Sequence, residues 1–332
     1  MLSPARSPSP HDHRQTTEPS APVQLALVVP CYNEQAMLPI TLPRLLGLLQ
    51  ALRARGLVTR DSGITFVDDG SRDDTWRLIE EAHKAHDEVH GLKLSCNRGH
   101  QNALLAGLLC TTADVTISLD ADLQDDLDAI PRMLEQHRLG ADIVLGVRAR
   151  RDSDSWFKRN SARGYYALLR KLGVDVVPDH ADFRLMSRRS LDALRDFREV
   201  NLFLRGIVPL LGFRTAVVHY DRAPRAAGES KYPLRRMLAL ALEGVFSFST
   251  VPLRWIAWLG IAVSAGSLGF ALWAVWLRLF TDKALPGWAS TVVPMTFLGG
   301  VQLLALGVIG GYLSRIYAET KQRPRFIVER SV

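Results

Sequence analysis

An acidic segment at residues 115–126, VTISLDADLQDD, contains the side chains best suited to chemistry in this sequence. Its alternating apolar residues predict a short strand that ends in a cluster of carboxylates. Such a cluster repels itself unless a cation lies among the oxygens. Asp120, Asp122 and Gln124 alternate, and a turn after the strand would bring their oxygens together as ligands for Mg²⁺ or Mn²⁺. We therefore predict a divalent cation that holds a diphosphate, with a solvated acidic turn as the alternative.

Other short apolar runs predict strands that alternate with apolar helices. These strands cover residues 24–29, 64–67, 92–95 and 142–147, with a further candidate at 217–220. The alternation predicts an α/β domain with a mainly parallel sheet covered by helices on both faces, and Pro30 is expected to stop the first strand. Ligands bind such sheets at the carboxyl ends of the strands. The polar residues expected to line one crevice there are Tyr32, Asn33, Glu34, Asp69, Gly99, Asp120 and Asp122.

Basic side chains near the later strands suit phosphate oxygens. Arg148 directly follows the strand predicted at 142–147, and we interpret it as a phosphate ligand, with Arg159 as a weaker candidate. Residues 222–232 contain proline and glycine and are predicted to form a loop whose basic groups close on phosphates. The sequence therefore places cations after the acidic turn as well as carboxylates within it.

Composition and charge narrow the class of protein. The chain has 332 residues, a formal net charge of +7 and 47% hydrophobic residues. A pI of about 9.5 is compatible with anionic partners such as phosphates, nucleic acid or an acidic membrane leaflet. Cys31, Cys96 and Cys110 have no CxxC spacing, which disfavours a disulfide framework and a zinc site and favours a reducing compartment.

The apolar excess of the sequence lies in its C-terminal third and predicts two membrane-spanning helices. Residues 255–277 and 292–313 each carry about twenty residues without a charge, enough to cross a hydrocarbon core of roughly 30 Å. Basic residues flank the pair on both outer sides, so both ends are predicted to face the cytoplasm. Gly307 and Gly311 have the spacing that permits close helix packing, from which we hypothesise a homo-oligomer.

The sequence thus predicts five segments. Residues 1–22 lack apolar periodicity and a secretory signal, which predicts a disordered tail. Residues 232–254 alternate arginines with apolar residues, which predicts amphipathic helices in the membrane interface. The predicted division is a disordered tail at 1–22, an α/β domain at 23–231, amphipathic juxtamembrane helices at 232–254, two transmembrane helices at 255–315 and a cytoplasmic basic tail at 316–332.

Six segments resemble, in order, the motifs of family 2 glycosyltransferases. They are residues 28–34 (VVPCYNE), 67–71 (VDDGS), 97–101 (NRGHQ), 120–125 (DADLQD), 182–185 (DFRL) and 228–232 (GESKY). More narrowly, the chain is similar to polyprenyl-phosphate glycosyltransferases: the dolichol-phosphate mannose synthase group and bacterial undecaprenyl-phosphate glucosyltransferases with two C-terminal membrane helices. The resemblance covers about residues 24–325. The chain departs from the family pattern at two places: Arg98 stands where an aromatic residue is frequent, and Asp126 and Leu127 replace a frequent Pro-Pro.

The resemblance implies a GT-A (Rossmann-like) fold, a nucleotide-sugar donor, a divalent metal and transfer with inversion. It places the donor on Pro30, Tyr32, Asn33, Glu34, Asp69, Asn97, Asp120, Ala121 and Arg148. It places the metal on Asp120, Asp122 and Gln124. It places phosphate and acceptor contacts on Arg159, Arg225, Ser230 and Lys231, and catalytic roles on Asp182 and Asp122.

The implied acceptor, a lipid phosphate, reduces the need for a strong base. A phosphate monoester has a second pKa of about 6, so at neutral pH it is largely a nucleophilic dianion. Asp182 is therefore the candidate base with orientation as its expected main role, although an ion pair with Arg184 alone is equally consistent with the residues. The predicted reaction moves glucose from a UDP-sugar to undecaprenyl phosphate on the cytoplasmic leaflet of the inner membrane, for cell-envelope glycan modification.

Two other hypotheses stay open at this point, and two more are disfavoured. A GDP-mannose-dependent mannosyltransferase shares the same motifs, and a non-catalytic, membrane-anchored nucleotide-binding subunit shares the same layout. A processive polysaccharide synthase is disfavoured, because Val251 occupies the glutamine position of its Gln-x-x-Arg-Trp motif and one hairpin follows. Nucleic acid is not an expected partner, since no nucleic-acid-binding motif accompanies the basic charge.

Overall fold

The computed structural model describes residues 21–148, 180–199, 204–221, 251–280 and 287–332. Its strands are β1 (Leu25–Cys31), β2 (Gly63–Asp68), β3 (Val89–Leu94), β4 (Val115–Ser118), β5 (Ile143–Arg148), β6 (His180–Ser187), β7 (Thr215–Tyr220) and β8 (Val328–Ser331). Its helices are α1 (Leu38–Ala54), α2 (Thr75–Ala85), α3 (His100–Cys110), α4 (Ala129–Arg138), α5 (Arg188–Leu194), α6 (Leu204–Leu210), α7 (Val251–Phe280) and α8 (Gly287–Thr320). The tail predicted at 1–22 and the amphipathic segment predicted at 232–254 lie almost wholly outside the described residues.

The strands form one eight-stranded sheet in the order β7-β5-β6-β4-β1-β2-β3-β8. β1 pairs in parallel with β2 and β4, β2 pairs in parallel with β3, and β5 pairs in parallel with β7. β6 runs antiparallel between β4 and β5, and β8 runs antiparallel beside β3. The prediction of a mainly parallel α/β sheet is confirmed. Because β1, β2, β3 and β4 all point the same way, the turns that follow them open at one edge.

β1 continues through Pro30 instead of stopping there. Pro30 pairs in register with Val67 of β2. The carbonyl of Val28 accepts from Leu119 on the β4 side, whereas the carbonyl of Cys31 accepts from Asp69 on the β2 side. Backbone groups alternate along a strand, so the nitrogen of Pro30 faces the β4 side, where the pairing of β1 already ends at Val28. Its missing N–H therefore removes no bond from the sheet.

Apolar side chains fill both faces of the sheet. Leu27 and Ile64 belong to a core shared with α1, α2 and α4, while Val28 and Val67 belong to a core shared with α3, α5 and α6. Helix α3 approaches the sheet very closely: a Cβ on Gly107 would lie 2.4 Å from Cγ1 of Val28. The absence of a side chain at Gly107 therefore allows α3 to bring its N-terminus to the edge where the turns open.

Two strands have no counterpart in the sequence predictions. β6 carries Asp182 and Arg184 on its buried side, and these charges hide the apolar alternation of a buried strand. β8 lies in the predicted basic tail, and its four residues are polar enough to conceal it. Val332, just after β8, exchanges backbone hydrogen bonds with Gly91 of β3 at 2.9 and 2.8 Å. The chain therefore returns to the α/β sheet after the last helix.

Helices α7 and α8 are 30 and 34 residues long and contact each other. Among the described residues, one stretch, Phe297–Thr320, is long and apolar enough to cross a membrane, and none of its apolar window is buried inside the protein. Trp255–Phe270 is a shorter apolar helical stretch. The structure thus contains both predicted helices, but the predicted transmembrane hairpin is not confirmed by their length and composition.

Candidate active site

The turns after β1 and β2 are joined by hydrogen bonds that use Asn33. Asn33 has a positive φ of 55°, a conformation that asparagine tolerates well. Its backbone N–H donates to Oγ of Ser71 at 2.9 Å, and its side-chain oxygen accepts from the backbone N–H of Arg72 at 2.9 Å. The backbone N–H of Glu34 donates to Oγ1 of Thr75 at 2.9 Å. Asn33 therefore acts as a connector between the two turns, and it leaves the neighbouring Tyr32 exposed at the sheet edge.

Asp69 performs the same task for the turn between β3 and α3. It is buried, and its two carboxylate oxygens accept from the backbone N–H groups of Arg98 at 2.7 Å and Gly99 at 2.9 Å. Burial nevertheless raises the pKa of Asp69 above its usual range. Gly70, which follows Asp69, has a φ of 68°, and a Cβ there would lie 2.6 Å from the carbonyl carbon of Cys96. The predicted crevice is thus built by close contact between consecutive turns.

A hydrogen bond from helix α1 holds the acidic turn after β4. The hydroxyl of Thr41 donates to the carbonyl oxygen of Ala121 at 2.7 Å, and both residues are buried. Leu123 has a φ of 50°, which reverses the chain, and the backbone N–H of Gln124 then donates to Oδ1 of Asp122 at 3.2 Å. A turn is thus present here, and it places the backbone of Gln124 against the carboxylate of Asp122. That the oxygens of Asp120, Asp122 and Gln124 share one cation stays a prediction.

Asp120 lies where the carboxylates are most crowded. Its side chain is 39% exposed. Its removal from bulk water raises its pKa to about 6; His100 opposes this rise, whereas the carboxylates of Asp125, Asp182 and Asp122 add to it. A bound cation would relieve this repulsion, so the donor set fits a divalent metal. No three His, Cys, Asp or Glu side chains within the described ranges are arranged to hold a metal. Asp120 and Asp122 would therefore need Gln124, phosphate oxygens or water to complete a coordination shell.

Asp125, the residue directly after the last predicted metal ligand, has a structural contact instead. The hydroxyl of Tyr220, at the end of β7, donates to Oδ1 of Asp125 at 2.5 Å. Burial and Asp125 raise the pKa of Tyr220, while a hydrogen bond from Arg148 acts in the opposite direction. Arg148 and Tyr220 are partners in the β5–β7 register. The structure thus brings Arg148 close to the acidic turn through Tyr220, as its predicted role as a phosphate ligand requires.

Asp182 on β6 is surrounded by donors. Its carboxylate accepts from Nη2 of Arg184 at 2.5 Å, Nη2 of Arg205 at 3.2 Å and Nε2 of Gln101 at 3.0 Å. Burial by itself would raise the pKa of Asp182, but a hydrogen bond from His100 and the charges of Arg184 and Arg205 hold it well below its usual range. Asp182 is therefore a buried carboxylate whose charge is already balanced by its neighbours.

His100 connects Asp182 to the acidic turn. Its Nε2 lies 3.4 Å from Oδ2 of Asp182 and 3.6 Å from Oδ1 of Asp120. Burial opposes protonation of the ring, but the two carboxylates outweigh it and raise the pKa of His100. The predicted catalytic carboxylate and the predicted metal ligands are therefore neighbours in one crevice.

Four residues of this crevice were not among the predicted site residues, although Arg184 was considered as an ion-pair partner of Asp182. His100 and Gln101 stand inside the NRGHQ segment, and Arg184 stands inside DFRL, so motif position was a usable signal for them. Arg205 lies between the buried Leu204 and Gly206, and a lone arginine in an apolar run was its only signal. Of the predicted contacts, Arg159, Arg225, Ser230 and Lys231 lie outside the described residues. Pro30 and Ala121 are buried, and Asn97 is exposed beside the Asp69 contacts.

Comparison with known proteins was consistent with this geometry. The family described as glycosyl transferase family 2 matches residues 26–195. The uncharacterized glycosyltransferase YkoT of Bacillus subtilis (strain 168) is 46% identical over 317 residues, which cover 93% of this chain and 92% of that protein. The bactoprenol glucosyl transferase of Shigella phage SfX is 38% identical over 309 residues, which cover 92% of this chain and 99% of that protein.

Solved structures show a more distant likeness. The mannosyltransferase PcManGT from Pyrobaculum calidifontis, in complex with GDP-Man and Mn²⁺, is similar with a TM-score of 0.46 and 18% identity. The likeness covers 92% of this chain and 88% of that one. A similarity this low transfers neither a ligand nor a reaction to this chain.

Proposed function

The chain belongs to glycosyl transferase family 2, as its motifs predicted, and we propose that it moves glucose from UDP-glucose to undecaprenyl phosphate with inversion. One observation carries the proposal. The likeness to the Shigella phage bactoprenol glucosyl transferase spans nearly the whole length of both chains, so it includes the two apolar helices as well as the α/β domain. A lipid-linked acceptor is the substrate that such helices suit.

The donor side of the crevice is the acidic turn. Asp120, Asp122 and Gln124 would hold the divalent cation, Mg²⁺ or Mn²⁺, which when bound would neutralise the charge that develops on the departing nucleotide diphosphate. Proximity of the carboxylates favours a cation there, since removal from bulk water, reinforced by the neighbouring carboxylates, raises the pKa of Asp120 to about 6. Tyr32 and Glu34, at the end of β1, would bind the base and ribose at the same edge of the sheet.

The acceptor side is the cluster around Asp182. A carboxylate with a strongly lowered pKa is a weak proton acceptor, and Asp182 is held in that state by Arg184 and Arg205. A phosphate monoester with a second pKa of about 6 is largely deprotonated at neutral pH and needs little help from a base. Asp182 therefore positions cationic groups around the acceptor, and proton removal is a minor part of its role.

We place the α/β domain at the cytoplasmic leaflet with α7 and α8 crossing the membrane as a hairpin. At a rise of 1.5 Å per residue, helices of 30 and 34 residues are long enough for this. β8 follows α8 and pairs with β3, so the end of α8 lies on the same side of the membrane as the sheet. Arg325, between α8 and β8, donates to the carbonyl oxygen of Phe197 in the α/β domain. This arrangement supports the proposed hairpin, because two crossings would return the chain to the side of the membrane on which it began.

Close packing between copies is part of the same proposal. A Cβ placed on Gly307 of α8 would meet no atom within 4 Å, so the face predicted at Gly307 and Gly311 has room for a neighbouring helix. The partner would be α8 of a second copy.

The test is sugar transfer by the detergent-purified full chain. Radiolabelled UDP-glucose, other UDP-sugars and GDP-mannose are offered in turn with undecaprenyl phosphate, in Mg²⁺, in Mn²⁺ and with a chelator. We expect labelled lipid from UDP-glucose that disappears with the chelator. Labelled lipid from GDP-mannose alone would replace glucose by mannose. No labelled lipid from any donor, with protein shown to be folded, would favour a non-catalytic subunit.

A further inference from the structure

Arg205 is the exposed cation of the Asp182 cluster. Two guanidinium groups contact Asp182, and that of Arg184 is fully buried whereas that of Arg205 is 40% exposed. Nε and Nη2 of Arg205 lie 3.4 and 3.2 Å from the two carboxylate oxygens of Asp182. This fork-to-carboxylate geometry fixes the direction of the guanidinium plane. Arg205 therefore presents a positioned positive charge at the crevice surface.

Gln101 holds the helix that carries Arg205. Its side-chain oxygen accepts from the backbone N–H of Leu204 at 3.2 Å, at the start of α6. Its side-chain nitrogen donates to Oδ2 of Asp182 at 3.0 Å. One amide thus ties α3, β6 and α6 together. Since both ends of the amide are used, the position of Arg205 relative to Asp182 is set by two independent contacts.

Charge explains why a cation is needed at this place. A phosphate dianion that approaches the crevice meets Asp182 and Asp120, and the repulsion would oppose its binding. Arg184 balances Asp182 from inside the protein but cannot reach a substrate, since it is fully buried. His100 lies between the two carboxylates, whereas Arg205 contacts Asp182 and carries a permanent positive charge on a partly exposed side chain.

We propose that Arg205 binds the phosphate of the lipid acceptor, an assignment that rests on the proposed function. The chemistry it recognises is a phosphate monoester. The donor diphosphate offers similar oxygens, but it is expected at the turn of Asp120 and Asp122, whereas Arg205 contacts Asp182, the other carboxylate that His100 joins. The acceptor phosphate is therefore the one that Arg205 meets.

The experiment measures lipid binding separately from transfer. The detergent-purified full chain and its variant Arg205→Gln are titrated with undecaprenyl phosphate and with undecaprenol, which lacks the phosphate. A hydrogen bond to a charged group supports a loss of about 10- to 100-fold in affinity for undecaprenyl phosphate, with undecaprenol binding unchanged. Arg205→Lys, which keeps the charge but not the fork, should lose less.

A matched control is Arg195→Gln. Arg195 lies just after α5, is 44% exposed and pairs with Asp192 rather than with the crevice. It should bind both lipids as the wild type does. An equal loss of undecaprenol and undecaprenyl phosphate binding in Arg205→Gln would indicate damage to the fold and overturn the assignment, as would unchanged binding of both.

Transfer kinetics separate this inference from the proposed function. In Arg205→Gln the KM for undecaprenyl phosphate should rise while the KM for UDP-glucose stays constant. A rise confined to the KM for UDP-glucose would assign Arg205 to the donor diphosphate and reject our proposal. A wild-type protein that shows Arg205-dependent phosphate binding, yet transfers no sugar, would support the phosphate site and reject the proposed function.

Discussion

Two neighbouring aspartates of this protein have opposite electrostatic surroundings. Asp120 lies among other carboxylates, and its pKa rises to about 6. Asp182 lies between Arg184 and Arg205, and its pKa falls well below the usual range. A single imidazole, that of His100, lies within 3.6 Å of the first and 3.4 Å of the second. One type of side chain, the aspartate carboxylate, thus has two different electrostatic states within one crevice.

The difference assigns a role to each region. The acidic turn carries excess negative charge, and this favours binding of a cation. The Asp182 cluster already contains its own cations, Arg184 and Arg205. Both orient the carboxylate, and Arg205 is also exposed. Pairs of titratable groups whose surroundings separate their pKa values often mark distinct roles in one site. The predictions for Asp182 and Asp120 each change one region and should leave the other intact.

The largest expected effect is on stability, from Asp182→Asn. The change leaves the buried Arg184 without a counter-charge, and breaking a buried ion pair in this way costs about 3–5 kcal/mol of unfolding free energy. Denaturant unfolding of the detergent-purified chain measures it. A loss as small as that of a surface substitution would show that Arg184 is compensated by other groups.

The pH dependence of this loss has a defined sign. The folded pKa of Asp182 is lower than its unfolded value of about 3.9, so its carboxylate stabilises the fold above that pH. This contribution disappears as the pH falls through the folded pKa. The stability gap between wild type and Asp182→Asn should therefore narrow in strong acid, as Asp182 takes up a proton. It should also narrow as the pH rises through the raised pKa of His100, because the neutral ring interacts less strongly with the Asp182 carboxylate. A gap that widens below about pH 4 would contradict the assignment.

Asp120→Asn should abolish most of the transfer activity with little effect on stability. Loss of one group that stabilises developing charge typically lowers kcat by about 100- to 1,000-fold. The initial rate of labelled lipid formation at saturating Mg²⁺ or Mn²⁺ measures it. Asp126→Asn is the control from the same turn, because Asp126 faces Arg132 at 3.9 Å, and it should retain activity. Equal losses in both variants would reject Asp120 as a specific ligand.

Metal affinity should decrease in acid because protons compete for Asp120. Since its pKa is about 6 without metal, a cation must displace a proton below that pH. The apparent affinity should then fall by about tenfold for each pH unit well below this value. Isothermal titration with Mn²⁺ at pH 5, 6 and 7 tests it. A constant affinity over that range would mean that Asp120 is not a metal ligand.

The smallest expected effect is the loss of stability in Asp142→Asn. This variant tests whether the large loss expected for Asp182→Asn comes from the buried position of the arginine partner or from removal of the carboxylate charge alone. Asp142 is as buried as Asp182, but its partner Arg189 is largely exposed and can be solvated by water when the pair is broken. Exposed ion pairs contribute up to about 1 kcal/mol. Denaturant unfolding of Asp142→Asn and Asp182→Asn under the same conditions compares their losses of unfolding free energy. Similar losses in the two variants would show that the buried position of Arg184 is not the cause.

Much of the fold was accessible from local patterns. Alternating apolar residues predicted the strands of the parallel sheet, and the run of aspartates after β4 predicted a turn of oxygen ligands. β8 was concealed, because four residues of which three are polar carry no clear periodicity, and the strand they pair with, β3, is more than 200 positions earlier in the chain. Asn33 and Asp69 were predicted to contact the nucleotide-sugar donor. In the structure their side chains accept hydrogen bonds from backbone N–H groups of neighbouring turns.

The sequence by itself determined the family, the sheet edge at which the polar turns meet, the acidic turn and the two apolar helices. These features depend on residues close together in the chain, whose spacing and polarity are visible in one dimension. Only the tertiary structure decided that Asp182 is balanced by two arginines and that Arg205 faces the crevice. Gln101 lies 81 positions from Asp182 and 103 from Leu204. The charge state of a carboxylate depends on which groups folding brings within a few ångströms of it, and no local pattern records that distance.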